Sequence, residues 1–359
     1  MQQQILITGM YRSGTTLLHH LLDGHHALTV FPFENCIFRD SIVAGQLPFP
    51  KQRSIQPLLD FIQAEKTDDA IAYILGHEKL KLALGKELVL KGSVGDQKIA
   101  QEFDFEVFKF VLKNGLSRLT KLEKPGLVIG LFEAYQDAYY AGLGQQNEIA
   151  ETIFANKCPE AGLLIKYYLE HLTGAKIIHV VRDPRAVMAS FKAILPKALF
   201  HPFFRLLPQL ALLNHSLSCR DQFIGNPKVL TVRYEDLVTQ PDQTMKQVAE
   251  FSGIEFDDIL LRPTLNGVPW RSNSSNVDRK DNAFEIHANL DKYKAKLNKA
   301  EIRIIEALCG HEMQKLKYEI DKKSSSRPLF VEKCLYTIRS SLDVRTFIFK
   351  LRRRIRLRN

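Results

Sequence analysis

The chain has 359 residues, 45% of them hydrophobic, enough for one large or two modest globular domains with a sizeable core. Its formal charge of +10 is concentrated at one end: residues 327–359 hold ten Lys or Arg and two acidic residues, so the main body is nearly neutral, which argues against a nucleic-acid-binding face there. Five scattered cysteines without a CxxC pair fit neither a disulfide framework nor a zinc site, and no secretory leader or charge-free run of about 18 apolar residues is visible, so the expected location is cytoplasmic.

The first apolar run, residues 4–8, predicts a strand, and Leu17, Leu18, Leu21 and Leu22 then form one face of a helix that stops at Asp23-Gly24. The joining loop in "ILITGMYRSGTTLLHH" places Gly9 and Gly14 at the spacing of a Walker A motif, with Thr15 where the lysine would stand. At a strand-to-helix junction the backbone N–H groups of Ser13 to Thr16 point outward unpaired, and the helix dipole favours an anion there. Arg12 and the hydroxyls of Thr15 and Thr16 add charge and donors. An ordinary capped helix start reads the same way, so the loop alone does not decide.

A second strand is expected at 27–31, followed by Glu34 in "FPFEN". Residues 50–146 read as helix-rich with few strand candidates, as in "IQPLLDFIQAEKTDDAIAYIL", an insertion lying over the sheet that either completes the core or serves recognition. Further strands are expected at 152–155, 176–181 and 229–233, the rhythm of an α/β protein with a parallel sheet. "IIHVVRDPRAVMASF" repeats the first arrangement: Arg182 stands at a strand end, a helix opens at Pro184, and Ser190 lies about two turns along. Both could reach one phosphate, or Arg182 could pair with Asp183 and Ser190 be a packing residue. Lys157 follows "TIFAN", and Tyr234 with Glu235 follows "VLTVR". Open α/β sheets bind ligands beyond the carboxyl ends of their strands, and five strand ends here aim polar residues at one rim.

With these pieces in place, the sequence resembles the sulfotransferases that use 3'-phosphoadenylyl sulfate (PAPS). "GMYRSGTTLL" is similar to their 5'-phosphosulfate loop, "VVRDPRAVMAS" to their 3'-phosphate segment with its eight-residue Arg-to-Ser spacing, and "VRYEDL" to the strand end near the adenine. Within the family, "RSGTTLLHHLLDGH", "NKCPE" and "VRYEDLVTQP" look nearest to bacterial and membrane types, including tyrosylprotein and carbohydrate sulfotransferases. The resemblance implies a three-layer α/β sandwich with a central parallel sheet, the P-loop-like sulfotransferase fold, over 1–320, with the helical acceptor-side insertion at about 50–146. It implies that Arg12, Ser13, Gly14, Thr15 and Thr16 hold the 5'-phosphosulfate, that Arg182 and Ser190 hold the 3'-phosphate, and that Tyr234 lies against the adenine or its phosphate. "WRSNSS" resembles the late loop that closes over the nucleotide, which would add Ser272, Asn273 and Ser274. Lys157 stands in an intact Lys-x-Pro motif placed near the acceptor and leaving oxygen. Losing the Walker lysine is then expected, because a sulfuryl group carries less charge than a phosphoryl group and needs no divalent cation to be approached.

The implied reaction is in-line transfer from PAPS to a hydroxyl, less readily an amine, of a carbohydrate, lipid or small-molecule acceptor, leaving adenosine 3',5'-bisphosphate and requiring no metal. Arg12, the loop N–H groups and Lys157 would stabilise charge on the bridging oxygen. Glu34 is the candidate general base, its pKa raised by apolar neighbours, with His20 and His25 as rivals. The paired histidines His19-His20 and His25-His26 are poor metal ligands, since helix neighbours point in different directions. "DKKSSSRP" at 321–328 reads as a linker, and the tail that follows as a basic amphipathic segment suited to an anionic membrane surface, equally to a solvated tail. A P-loop kinase-like phosphotransferase and a non-catalytic nucleotide-binding protein are the alternatives. The first would need a Walker lysine and carboxylates for Mg²⁺, the second would show no turnover. Acceptor identity and oligomeric state are not readable from the sequence.

Overall fold

The structure, a computed structural model, describes residues 3–34, 56–77, 80–82, 87–92, 95–102, 104–119, 124–142, 144, 152–159, 165–172, 174–194, 207–265, 267–270 and 290–320. In chain order, β1 (Gln4–Gly9), α1 (Thr15–Leu22) and β2 (Leu28–Glu34) come first. Next are α2 (Gln56–Gln63), α3 (Thr67–His77), β3 (Leu80–Leu82), β4 (Glu87–Gly92), β5 (Gly95–Glu102), α4 (Phe105–Ser117) and α5 (Lys124–Gly142). The middle of the chain forms β6 (Ile153–Pro159), α6 (Ile165–His171), β7 (Ala175–Val181), α7 (Pro184–Ile194), α8 (Leu207–Cys219) and β8 (Val229–Arg233). The last part forms α9 (Tyr234–Thr239), α10 (Pro241–Ser252), β9 (Thr264–Leu265), β10 (Val268–Pro269), α11 (Lys292–Lys296) and α12 (Lys299–Lys315).

The central sheet has the order β2-β6-β1-β7-β8, and every neighbouring pair is parallel. A parallel sheet is covered on both faces, so its inner strands are apolar on both sides, as "QILITG" and "AKIIHVV" are. Side chains alternate across a strand. Ile5 and Ile7 of β1 pack with Ile178 and Val180 of β7 against Leu17, Leu18, Leu21 and Leu22 of α1 and Met245 and Val248 of α10. Leu6, Phe154 and Ile177 belong to the core of the opposite face, with Leu112 and Leu116 of α4, Tyr135, Tyr139 and Tyr140 of α5, and Tyr168 of α6. Beside that, Val181 packs with Val187 and Met188 of α7, Leu213 of α8, and Ile305, Cys309 and Met313 of α12. The result is helix, sheet and helix in three layers. Each fully buried leucine of α1 contributes about 1.5–3 kcal/mol, and α1 carries four of them on one stripe, so the loop before it rests on a firm element.

All five strands expected from the sequence are present, and two run further: β2 reaches Glu34 and β6 reaches Pro159. Glu34 and Lys157 are therefore strand residues rather than loop residues. The insertion differs more. Besides four helices, its described residues form an antiparallel sheet of β3, β4 and β5, in which Gly92 pairs with Gly95. The Lys, Glu and Gln in these strands lower their β-propensity, which is why residues 50–146 read as mainly helical. No helix among the described residues is long and apolar enough to cross a membrane. The linker and tail at 321–359 lie outside the described residues.

Candidate active site

Because the five strands are parallel, their carboxyl ends share one rim. The loop from Gly9 to Gly14 leaves β1 at the centre of that rim. Gly9 has φ 149°, and a Cβ there would sit 2.3 Å from the Val180 carbonyl oxygen, so the loop starts hard against β7. Arg12 takes φ 70°, costly for a residue with a Cβ and characteristic of functional loops. Gly14 has φ 98°, and a Cβ there would lie 2.2 Å from Cδ2 of Tyr234, so only glycine lets β8's end close over the loop. Gly14 caps α1 without a side-chain bond. The first helical bond runs from the Leu18 N–H to the Gly14 carbonyl at 3.2 Å, leaving the amides of Thr15 and Thr16 at the positive end of the helix, whereas the Ser13 N–H, expected to be unpaired, donates to the Met10 carbonyl at 3.1 Å within the loop.

The cation that a Walker motif carries inside its loop arrives here from the neighbouring strand. Lys157 of β6 is buried, and its Nζ donates to Thr16 Oγ1 at 2.9 Å. Glu34 is the backbone register partner of Lys157 across the β2–β6 ladder, just past an irregularity after Val30, which puts both candidate catalytic residues at one level of the rim.

The second expected anion site meets the first directly. Arg182 follows β7, donates from Nη1 to the Arg12 carbonyl at 3.0 Å, and lies with its guanidinium 4.0 Å from the Tyr234 ring centroid. Its Nε has no partner among the described residues, so the guanidinium keeps donor capacity for a ligand. Arg182 does not pair with Asp183; that carboxylate is taken by Arg185, through Nε at 3.0 Å and Nη2 at 2.7 Å. Ser190 is half-buried on α7. Ser13 and Thr15 are buried in the loop and Arg12 is exposed. Ser272, Asn273 and Ser274 lie outside the described residues.

The two histidine rivals are occupied. His25 uses both ring nitrogens, Nε2 donating to the Glu255 carbonyl at 3.0 Å and Nδ1 accepting from the Ala27 N–H at 3.1 Å. His20 donates from Nδ1 to the Thr264 carbonyl at 2.8 Å and stacks on Trp270 at 4.5 Å between centroids. Burial and then the Lys157 charge lower its pKa to about 3, too weak a base to take a hydroxyl proton near neutral pH. No group of three or more metal-ligating side chains occurs among the described residues. Sequence reasoning passed over Arg185, Glu306 and Tyr318, which with Asp183 and Glu235 form a buried polar network behind Arg182. "RDPR" carries a local hint of it, whereas Tyr318 has no sequence signal at all.

A loop and helix N-terminus after the central strand, joined to a guanidinium after the next strand, gather amides and positive charge at the topological switch of an α/β sheet, an arrangement suited to a phosphate ester. A model of the sulfotransferase family matches residues 100–258 and a sulfotransferase-domain model matches residues 214–317, together more than half of the chain. The chain belongs to the sulfotransferases. Lys157, Arg182, Ser190 and Tyr234 fall inside the matched residues, and the Gly9–Gly14 loop precedes them. Among solved structures the chain is similar to the sulfotransferase domain of the Synechococcus PCC 7002 olefin synthase, with 20% identity, 89% of this chain and 95% of that one covered and a TM-score of 0.47. It is similar also to the sulfotransferase domain from the curacin biosynthetic pathway, with 19% identity, 89% and 99% covered and a TM-score of 0.48. The sulfotransferase STF9 of Mycobacterium avium gives 13% identity, 89% and 78% covered and a TM-score of 0.44. No curated protein matches the chain.

Proposed function

We propose that this sulfotransferase moves the sulfuryl group of PAPS to a hydroxyl of a carbohydrate, lipid or small-molecule acceptor. The observation that carries the donor assignment is the bond from Arg182 to the Arg12 carbonyl. It brings the guanidinium of the second anion segment beside the loop of the first, as one nucleotide with phosphate groups on both its 5' and 3' sides requires. Arg12, the loop amides and Thr16 hold the 5' end. Arg182, with Ser190 along the helix, holds the 3'-phosphate, and Tyr234 supports Arg182 while facing the nucleoside. The resemblance of "WRSNSS" adds Ser272, Asn273 and Ser274 as further contacts to the nucleotide.

In the reaction the acceptor oxygen attacks sulfur in line with the departing phosphate oxygen. Lys157 and Arg12 stabilise the charge that grows on that oxygen, and positioned donors in a low-dielectric site act there without reorganising. Glu34, at the level of Lys157, takes the acceptor proton, an effect of roughly 10²- to 10⁴-fold. Nothing in this scheme requires a divalent cation, since a sulfuryl group carries less charge than a phosphoryl group.

The test is calorimetric binding of adenosine 3',5'-bisphosphate and ADP without Mg²⁺. The wild type should prefer the bisphosphate, and Arg182→Ala should weaken it about 10- to 100-fold, the loss of charge-assisted bonds. Equal binding of both nucleotides, or binding only with Mg²⁺, would return the site to the phosphotransferase class.

A further inference from the structure

Behind Arg182 and Tyr234 lies a set of bonds that reaches neither the loop nor the rim. The Asp183 backbone N–H donates to Glu235 Oε1 at 3.0 Å, which joins the residue after Arg182 to the residue after Tyr234. The other oxygen of Glu235 accepts the hydroxyl of Tyr318 at 2.7 Å. The Asp183 carboxylate accepts the Arg185 backbone N–H at 2.8 Å and its guanidinium, and Arg185 Nη1 reaches Glu306 Oε1 at 2.8 Å. Glu306 lies on α12 and Tyr318 just after it. The helix near the chain's C-terminal end thus grips both anion-site residues from behind, at two points. Asp183, Arg185, Glu235, Glu306 and Tyr318 are all buried, and the Tyr318 ring lies under the Arg233 guanidinium, 4.8 Å from its centroid.

Burying four charged side chains for support alone is wasteful, because apolar contacts of the same volume often serve stability as well or better. What such a buried network adds, even with Glu306 Oε2 left without a partner among the described residues, is direction: each bonded donor and acceptor admits few orientations, and ligand-contacting side chains are held true by the groups behind them. We propose that Tyr318 is a positioning residue for recognition of the donor's 3'-phosphate. Through Glu235 it sets the Asp183 backbone, and with it the direction in which Arg182 leaves β7. The inference rests on the PAPS reading above and adds a specificity determinant to it, 84 residues along the chain from Tyr234.

The test is Tyr318→Phe, which removes only the hydroxyl and keeps the ring under Arg233. Dissociation constants are measured without Mg²⁺ for adenosine 3',5'-bisphosphate and adenosine 5'-monophosphate, on wild type and variant, with thermal melts alongside. The bisphosphate should bind roughly 3- to 30-fold more weakly to the variant, with the monophosphate unchanged. Equal losses for both nucleotides, or a lower melting temperature with both affinities kept, would make Tyr318 a purely structural residue and overturn the inference. If the wild type itself shows no preference for the bisphosphate, the donor reading fails and the inference with it, an outcome separate from a wild-type preference that the variant retains. Should Tyr318→Phe not fold, Glu306→Gln makes the same comparison at the other grip point, with the same result expected and the same results overturning it.

Discussion

Buried histidines lower the acid stability of this protein, three of them strongly. His19, His20 and His179 are each almost wholly out of solvent. Desolvation is the largest cause lowering all three, helped by the Lys157 charge at His19 and His20 and by Arg220 at His179. The ordinary value of 6.5 falls to about 3 for His20, to about 4 for His179, and well below 6.5 for His19. Between the unfolded and folded values the unfolded chain binds protons that the native one refuses. Stability is therefore complete above pH 6.5 and falls as the pH drops toward 4, by about 1.4 kcal/mol per pH unit for each histidine. His20→Phe keeps an aromatic ring for Trp270 and removes one of these groups. Its loss of unfolding free energy between pH 7 and pH 5, from urea titrations, should be smaller than the wild-type loss by about 2 kcal/mol; an equal loss would mean that His20 is protonated within the fold. The same residue scale explains what became of the expected base. His25 and His20 spend their nitrogens on backbone carbonyls and on burial, while Glu34 stands at the level of Lys157.

At the scale of elements, α1 is tied to the β9–β10 hairpin, which precedes the segment proposed to contact the nucleotide. Asp23, the residue ending α1, accepts the Thr264 hydroxyl at 2.6 Å and the Gly267 N–H at 2.9 Å. His20, one turn earlier, holds Thr264 from its carbonyl side and stacks on Trp270. Anything that moves α1 moves residues 264–270 with it, and Arg271 is the next residue of the chain. Asp23→Ala removes the carboxylate that accepts the Gly267 N–H and the buried Thr264 hydroxyl, and although that hydroxyl keeps the Asp23 carbonyl at 3.0 Å, losing bonds to a charged acceptor costs about 1.5–3 kcal/mol. The denaturation midpoint should fall accordingly. Affinity for adenosine 3',5'-bisphosphate should fall too if the segment after Trp270 closes over the nucleotide; a lower midpoint with full affinity would detach that segment from the site. The α1 boundary was legible in "DG", and the hairpin was not, because two-residue strands carry no periodicity to read.

For the whole molecule, charge is divided unevenly between a nearly neutral body and a basic C-terminal segment. The body carries the sheet and the anion rim, where positive groups are few and individually placed. The tail carries a net +8 among apolar residues such as Leu335, Ile338, Leu342 and Phe349, the composition of a segment that adsorbs to anionic lipid. If the tail docks at anionic lipid rather than staying solvated, deleting residues 321–359 should abolish cosedimentation with phosphatidylserine vesicles at low salt while leaving adenosine 3',5'-bisphosphate binding intact. Raising the salt should release the full-length protein in the same assay, since exposed charges are screened within about 10 Å at 0.1 M. Vesicle binding that survives the deletion would move the lipid contact to the body. The amino-acid sequence by itself determined the parallel α/β class, the positions of all five central strands and the strand-to-helix junctions after Gly9 and Arg182, because apolar periodicity and strand-to-helix turn chemistry are short-range properties. The antiparallel sheet inside the insertion escaped it, since polar strands leave that signal weak. Only the tertiary structure decided that Lys157 meets Thr16 across 141 residues, that Arg182 meets Arg12 across 170, and that Tyr318 reaches Glu235 across 83. Such pairings follow from strand order and layer packing, which no local pattern encodes.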